Sequence, residues 1–144
     1  MYEAIFLAHL FSTLFMMGLI WFVQVVHYPL HRYVGEQEFN NYQSKHVERT
    51  GYVVGIPMLI EMATSVYFLF VPIPGISSNL FVLGLILLMI SWLSTALLQV
   101  PCHNALQKNF SVAVHSRLVN GNWIRTFAWS SRGILVLYLT SMLL

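Results

Sequence analysis

The sequence predicts an all-α protein: an integral membrane antiparallel four-helix bundle, with residues 1–144 forming one transmembrane domain. Three observations carry this. Of the 144 residues, 58% are hydrophobic and only 8% charged, with no Asp. Ordinary soluble domains carry about 25% charged residues, so this chain cannot cover a water-facing surface, which excludes a soluble enzyme. The excess apolar residues also fall into four stretches, 4–26, 52–71, 80–100 and 123–144, each about 20 residues or longer and able to cross a ~30 Å hydrocarbon layer at ~1.5 Å per residue.

The first stretch follows Met1-Tyr2-Glu3, which has no basic n-region, and the run is too long for a secretory signal and lacks a small-x-small cleavage site, so it is expected to be retained. The second carries Pro57, expected to kink the helix and free the Val53 carbonyl. The third follows the short Pro72–Asn79 connection. The fourth begins at Trp123. Cys102 is the single cysteine and says nothing about redox compartment.

Charge sets the expected orientation. Arg32, Lys45 and Arg49 lie between the first and second helices, and Lys108, Arg117 and Arg125 between or bordering the third and fourth. The positive-inside rule puts these connections in the cytoplasm and both termini outside, as in a bacterial inner (plasma) membrane. A net charge of +2, with Glu36, Glu38 and Glu48 beside the loop cations, leaves no concentrated basic face for nucleic acid.

The halves resemble one another. Gln24-Val25-Val26-His27 ends the first helix and Gln99-Val100-Pro101-Cys102-His103 the third. His46-Val47-Glu48-Arg49-Thr50 precedes the second, and Asn122-Trp123-Ile124-Arg125-Thr126 opens the fourth. This predicts a duplicated helical hairpin, a parallel repeat about an axis along the membrane normal.

Polar residues inside membrane helices are costly, so their spacing is informative. His9, Thr13, Gln24, His27 and His31 follow one face of the first helix, and Ser91, Thr95, Gln99 and His103 one face of the third. Glu61 and Arg132 fall at nearly equal depth, ~15 and ~13 Å from the inner boundary, and are expected to pair, since each alone costs about 2.5–3.5 kcal/mol. The pair reads either as a structural lock or as a substrate-anchoring or proton-handling site. His9, near the opposite side, reads as an interior histidine bonded to a neighbouring hydroxyl or carbonyl.

The main chemical signal is the gathering of His27, His31, His46 and His103 at the cytoplasmic boundary. Neutral imidazoles arriving from different elements suit Fe, Cu or Zn. Gln24 and Gln99, one turn deeper, could orient the rings or bind substrate. There is no His-Glu-x-x-His motif, di-iron Glu-x-x-His pair or Cys cluster. Pro29 could separate His27 from His31, and for His31 and His115 an interfacial, headgroup-facing role is favoured. Haem is less favoured than a non-haem metal, because His27 and His103 lie at the membrane edge.

Trp21, Trp92, Trp123 and Trp129, with Tyr28, Tyr33, Tyr42, Tyr52 and Tyr138, include expected interfacial anchors. Met16, Met17, Met58, Met62 and Met89 read as packing. Gly18, Gly51, Gly55, Gly84 and Gly133 read as sites of close helix approach.

The segment Gln99-Val100-Pro101-Cys102-His103-Asn104-Ala105-Leu106, with Asn122-Trp123-Ile124-Arg125-Thr126 and Arg132, resembles the small four-helix membrane proteins grouped around the anthrone oxygenases. Those proteins carry a Pro-x-Asn-x-x-Leu-like segment after the third helix and an Asn/Trp-x-x-Arg segment before the fourth. The resemblance covers residues 99–132. It implies a membrane oxidoreductase acting on a hydrophobic, phenolic or polycyclic substrate, with His103 and Asn104 in a polar pocket and Asn122, Arg125 and Arg132 nearby. The first half of this chain is richer in histidine than that pattern. Length, layout, the N-terminal Met1-Tyr2 and His9 also loosely resemble membrane protoporphyrinogen oxidases.

The combined expectation is an oxidoreductase-like membrane protein with a cytoplasm-facing, histidine-containing pocket for a small hydrophobic substrate. His27, His103, Glu61 and Arg132 are its candidate catalytic groups. Gln24, Gln99, Asn104, Arg49 and Arg125 are candidates for holding cofactor or substrate, and His27, His31, His46 and His103 for holding metal. The alternative is a non-catalytic accessory subunit or scaffold, as a homo-oligomer or in a larger membrane complex. A proton or ion channel is less favoured, since only His9, Ser12 and Thr13 offer an external polar path.

Overall fold

In a computed structural model, which describes residues 2–144, the chain forms four long helices. They are α1 (Tyr2–Tyr33), α2 (Glu36–Phe70), α3 (Ser78–Lys108) and α4 (Val112–Ser141). α1 packs against α2 and α4, and α3 against α4 and α2. Neighbours run antiparallel: His9 near the start of α1 meets Thr64 near the end of α2, and the end of α1 meets the start of α4 where His115 bonds the Tyr28 carbonyl oxygen.

The helices are longer than the hydropathy-based boundaries. α2 begins at Glu36 rather than near 52, and α4 at Val112 rather than near 123. The segments expected as cytoplasmic loops are helical extensions, and the α1–α2 connection shrinks to Val34-Gly35. The reason is physical: hydropathy marks where side chains meet hydrocarbon, whereas backbone hydrogen bonds continue a helix into polar surroundings. The 35 residues of α2 span about 52 Å at ~1.5 Å each, well beyond a ~30 Å hydrocarbon layer. The surplus, with its polar residues, gathers at the α1–α2 and α3–α4 end of the bundle.

Three apolar clusters run along the axis. Phe6, Phe68, Phe81 and Val136 pack near the α2–α3 turn. Met16, Ile20, Met58 and Trp129 fill the middle. Tyr28, Phe39, Leu106 and Leu118 join the extensions. The α2–α3 turn tucks Ile73 and Ile76 into the first cluster, and Gly75 takes φ of 83°, a conformation that favours glycine. Ser111 caps α4 by accepting from the Val114 N–H at 3.5 Å. Gly133 lets α4 approach α1, since a Cβ there would strike Met17. Gly18, Gly51 and Gly55, by contrast, face open space.

α1, α2 and α3 are long and apolar enough to cross a membrane. α4 is long enough, but Arg125, Arg132 and its serines lower its hydropathy. Its buried face includes Asn122, Thr126 and Arg132, while Phe127, Ile134 and Leu137 are exposed. With Leu7, Phe11, Ile56, Leu59 and Ile86, they form an apolar exterior around a polar-seamed interior. Trp21 and Trp123 stay at the periphery, edge to face at 5.8 Å. Trp129 and Tyr28 are buried and are not interfacial anchors.

Candidate functional site

The site begins with two wide turns. Within α1, residues Val23–His27 form a π turn in which the Tyr28 N–H reaches the Val23 carbonyl; within α3, Thr95–Gln99 does the same, with Val100 reaching Thr95. Each turn lies just before a proline, Pro29 or Pro101, whose missing N–H would have bonded the carbonyl four residues back. The extra residue in each turn rotates the following side chains by about 100° relative to a regular helix, and such turns are frequent at functional sites.

The two hairpins carry these devices in one register: Val23 and Thr95, Pro29 and Pro101, and His31 and His103 are each 72 residues apart. Gln43 and His115 share that spacing; Gln43 bonds His103, and the His115 ring packs 6.0 Å from His31. The Gln24/Gln99 alignment expected from sequence is therefore off by three residues. Gln24 is second in its turn and Gln99 last, so the two glutamines do different work.

His27, His31 and His46 turn ring nitrogens toward one another. His27 Nε2 lies 2.9 Å from His46 Nδ1 and 3.2 Å from His31 Nε2, and one nitrogen from each of the three rings lies within 4.8 Å of the others. Two imidazoles on one tetrahedral ion at 2.0–2.1 Å would stand roughly 3.3 Å apart, so this group could hold a metal ion with little movement. Pro29 does not separate His27 from His31; their rings stand edge to face at 4.8 Å. Nor does His31 face headgroups. It is fully buried, as is His115, whose Nε2 bonds the Tyr28 carbonyl at 2.8 Å. His46 Nδ1 also lies 3.1 Å from Thr50 Oγ1.

His103, although expected to join the trio, packs beside it, its ring 5.3 Å from that of His46, but its nitrogens turn to other partners. Gln43 donates to its Nδ1 at 2.7 Å and Tyr28 Oη lies 3.0 Å from its Nε2, so both nitrogens are engaged. The His27 nitrogens meet histidines on the same side of the bundle rather than a facing His103, which does not fit a bis-histidine haem clamp.

Beside the trio lies a cavity of about 210 Å³. Met16, Val54, Met58 and Trp129 form its apolar part, and Tyr28, His46, Gln99, His103 and Arg125 are polar groups on its wall. Arg125 is held in a relay: Gln24 Oε1 accepts from Asn122 Nδ2 at 2.8 Å, and Asn122 Oδ1 accepts from Arg125 Nε at 2.9 Å and from its Nη2. Arg125 also donates to Tyr28 Oη at 3.3 Å and Thr95 Oγ1 at 3.2 Å, and lies 6.0 Å from the Trp129 ring. Tyr28 Oη therefore accepts from Arg125 and, because the Gln43 amide donates to Nδ1, the neutral His103 ring carries its proton on Nε2 and donates it to the same phenol oxygen.

The structure brings Glu61 and Arg132 together at 3.2 Å, both buried. They lie behind Trp129, not on the cavity wall. Trp129 Nε1 donates to Glu61 Oε2 at 2.9 Å, while Arg132 also donates to Ser65 Oγ and the Gly84 carbonyl. Every strong polar atom of the pair is spent on the bundle. Gln24 positions Asn122 and donates to the Val119 carbonyl instead of orienting a histidine. Asn104 is exposed on α3 and does not line the pocket in which it was expected. Arg49 is also exposed, beside a shallow depression with His27, Lys45 and His46, and does not join Arg125. His9 meets its expectation, with Nδ1 2.8 Å from Thr64 Oγ1.

Tyr28 and Gln43 are site residues that sequence reasoning overlooked or read as anchors. Tyr28 was visible only as the residue following His27, and Gln43 lay in a segment read as loop. Periodicity cannot reveal an inward turn produced by a π bulge.

Fold and site together define a four-helix bundle with a buried histidine trio beside a mixed apolar and polar cavity. The chain matches no family model, no curated protein and no solved structure.

Proposed function

We propose that the protein is an integral membrane, oxidoreductase-like protein that holds one transition metal on His27, His31 and His46 beside a cavity for a small hydrophobic substrate. The observation that carries this is the sharing of His46 between the trio and the cavity wall. Three protein nitrogens leave a tetrahedral ion one position short, the arrangement of catalytic rather than structural metal sites. Iron or copper there would supply one-electron chemistry, and zinc would supply a Lewis acid. The chain's own residues bind and orient: Met16, Val54 and Met58 receive the apolar body, Arg125 and Gln99 face its polar end, and Tyr28, fixed by His103, helps hold Arg125 in place. The basic residues of the extensions favour a cytoplasmic orientation for this end, with both termini across a bacterial inner membrane.

Elemental analysis of detergent-purified protein tests the metal reading. Near one equivalent is expected in the wild type and in His103→Ala, and background in His27→Ala/His46→Ala. Equal substoichiometric metal in all three would overturn it. Loading should fall at acidic pH, where protons compete with the ion for the imidazole nitrogens. Against this stands a metal-free accessory subunit or homo-oligomeric scaffold, whose signature in native mass spectrometry would be a stable complex of chains with neither metal nor small molecule.

A further inference from the structure

Arg125 is a half-buried cation on the cavity wall without a counterion. Its four hydrogen bonds go to the neutral side chains of Asn122, Tyr28 and Thr95. Among the described residues the one salt bridge belongs to Arg132 and Glu61. A guanidinium has five N–H donors, so one Nη1 hydrogen remains without an acceptor. A charge in such surroundings is expensive unless paired. Gln99 makes an independent argument. Its side chain is 1% exposed, lines the same cavity, and has no partner at either Nε2 or Oε1. Buried amides are nearly always hydrogen-bonded, so the free Nε2 donor of Gln99 on a cavity wall calls for a ligand that offers it an acceptor oxygen.

The cavity wall has no carboxylate and no second fixed cation; its histidines are neutral imidazoles when they accept hydrogen bonds or hold a metal. One positive charge is matched by one negative charge. The remaining wall is apolar, from Met16 and Ile20 to Val54, Met58 and Trp129. From this we infer that the cavity binds a monoanionic amphiphile, an alkyl or aryl carboxylate whose head takes the free Arg125 and Gln99 donors and whose hydrocarbon body lies along the apolar wall. A phosphate dianion would leave one charge unmatched. A bound metal cation on the trio would strengthen the preference for an anion without being required for it. The inference deepens the substrate class of the proposed pocket and rests on that pocket, not on the metal.

The test is binding of decanoate, methyl decanoate and decyl phosphate to chelator-treated protein in phosphatidylcholine nanodiscs, followed by calorimetry. Saturable decanoate binding is expected, at least tenfold tighter than that of either analogue. Arg125→Gln should weaken decanoate at least tenfold while leaving the ester unchanged, and Gln99→Leu should weaken it several-fold. Val54→Trp, which fills the apolar wall and leaves the Arg125 relay intact, should abolish binding of all three. Ester binding as tight as the acid, preference for the phosphate, or indifference to Arg125→Gln would each overturn the inference. Decanoate binding as expected, together with only background metal in untreated wild-type protein, would sink the metal reading alone.

Discussion

Arg125 and Arg132 lie seven residues apart on α4, nearly two turns, and so face the same side of one helix. Arg132 is answered by a carboxylate, a serine and a carbonyl, and Glu61 in turn holds the Trp129 indole. Arg125 is answered only by an amide, a phenol and a threonine hydroxyl. Both arginines are costly to bury. The first is compensated from within the chain, so it locks α2 to α4. The second keeps unspent charge and one unspent donor toward a cavity, where a ligand can use them.

The sharpest way to break this comparison is to remove one half of the lock. Glu61→Ala or Arg132→Leu alone should cost about 3–5 kcal/mol, because each leaves a buried charge unpaired, whereas Glu61→Leu/Arg132→Met together should recover most of the loss. Reversible unfolding in mild detergent measures this; equal losses in the single and double variants would show that the charges are not coupled.

A smaller effect is expected from the relay. Asn122→Leu strands the Gln24 oxygen and two Arg125 donors, at about 1–3 kcal/mol, and should lower decanoate affinity because Arg125 loses its fixed position. If stability falls and affinity does not, Asn122 is structural only.

Arg125→Gln should change stability by less than about 1 kcal/mol in either direction, since the hydrogen bonds it forfeits are offset by relief from burying an unpaired charge. A loss comparable to that of Arg132→Leu would erase the distinction between the two arginines. The smallest effects belong to the exposed residues: Asn104→Ala and Arg49→Ala should stay within about 0.5 kcal/mol and leave metal content unchanged.

Some of this was legible without coordinates. The Glu61–Arg132 pair followed from depth arithmetic along two helices, since 1.5 Å per residue holds whatever the packing. His9 with a hydroxyl partner followed from the cost of leaving an interior histidine unsatisfied. The meeting of His27 with His46 was legible as a gathering at one end of the bundle. The division of the four histidines into a trio and a Tyr28-linked single was not, because π turns before Pro29 and Pro101 redirect side chains in ways that a fixed 3.6-residue period cannot represent. Asn104 was placed in the pocket by the family resemblance alone, and the chain exposes it.

The helical class, the four long helices and the matching level of Glu61 and Arg132 along the bundle were thus determined by the sequence itself, through local hydrogen bonding and the regular rise of the helix. Tertiary structure alone decided which polar residues turn inward and which of them are already paired. Pairing depends on the rotation of each helix about its axis, and that rotation is set by packing against two neighbours at once. The outcome is a spent charge at Arg132 and an unspent one at Arg125.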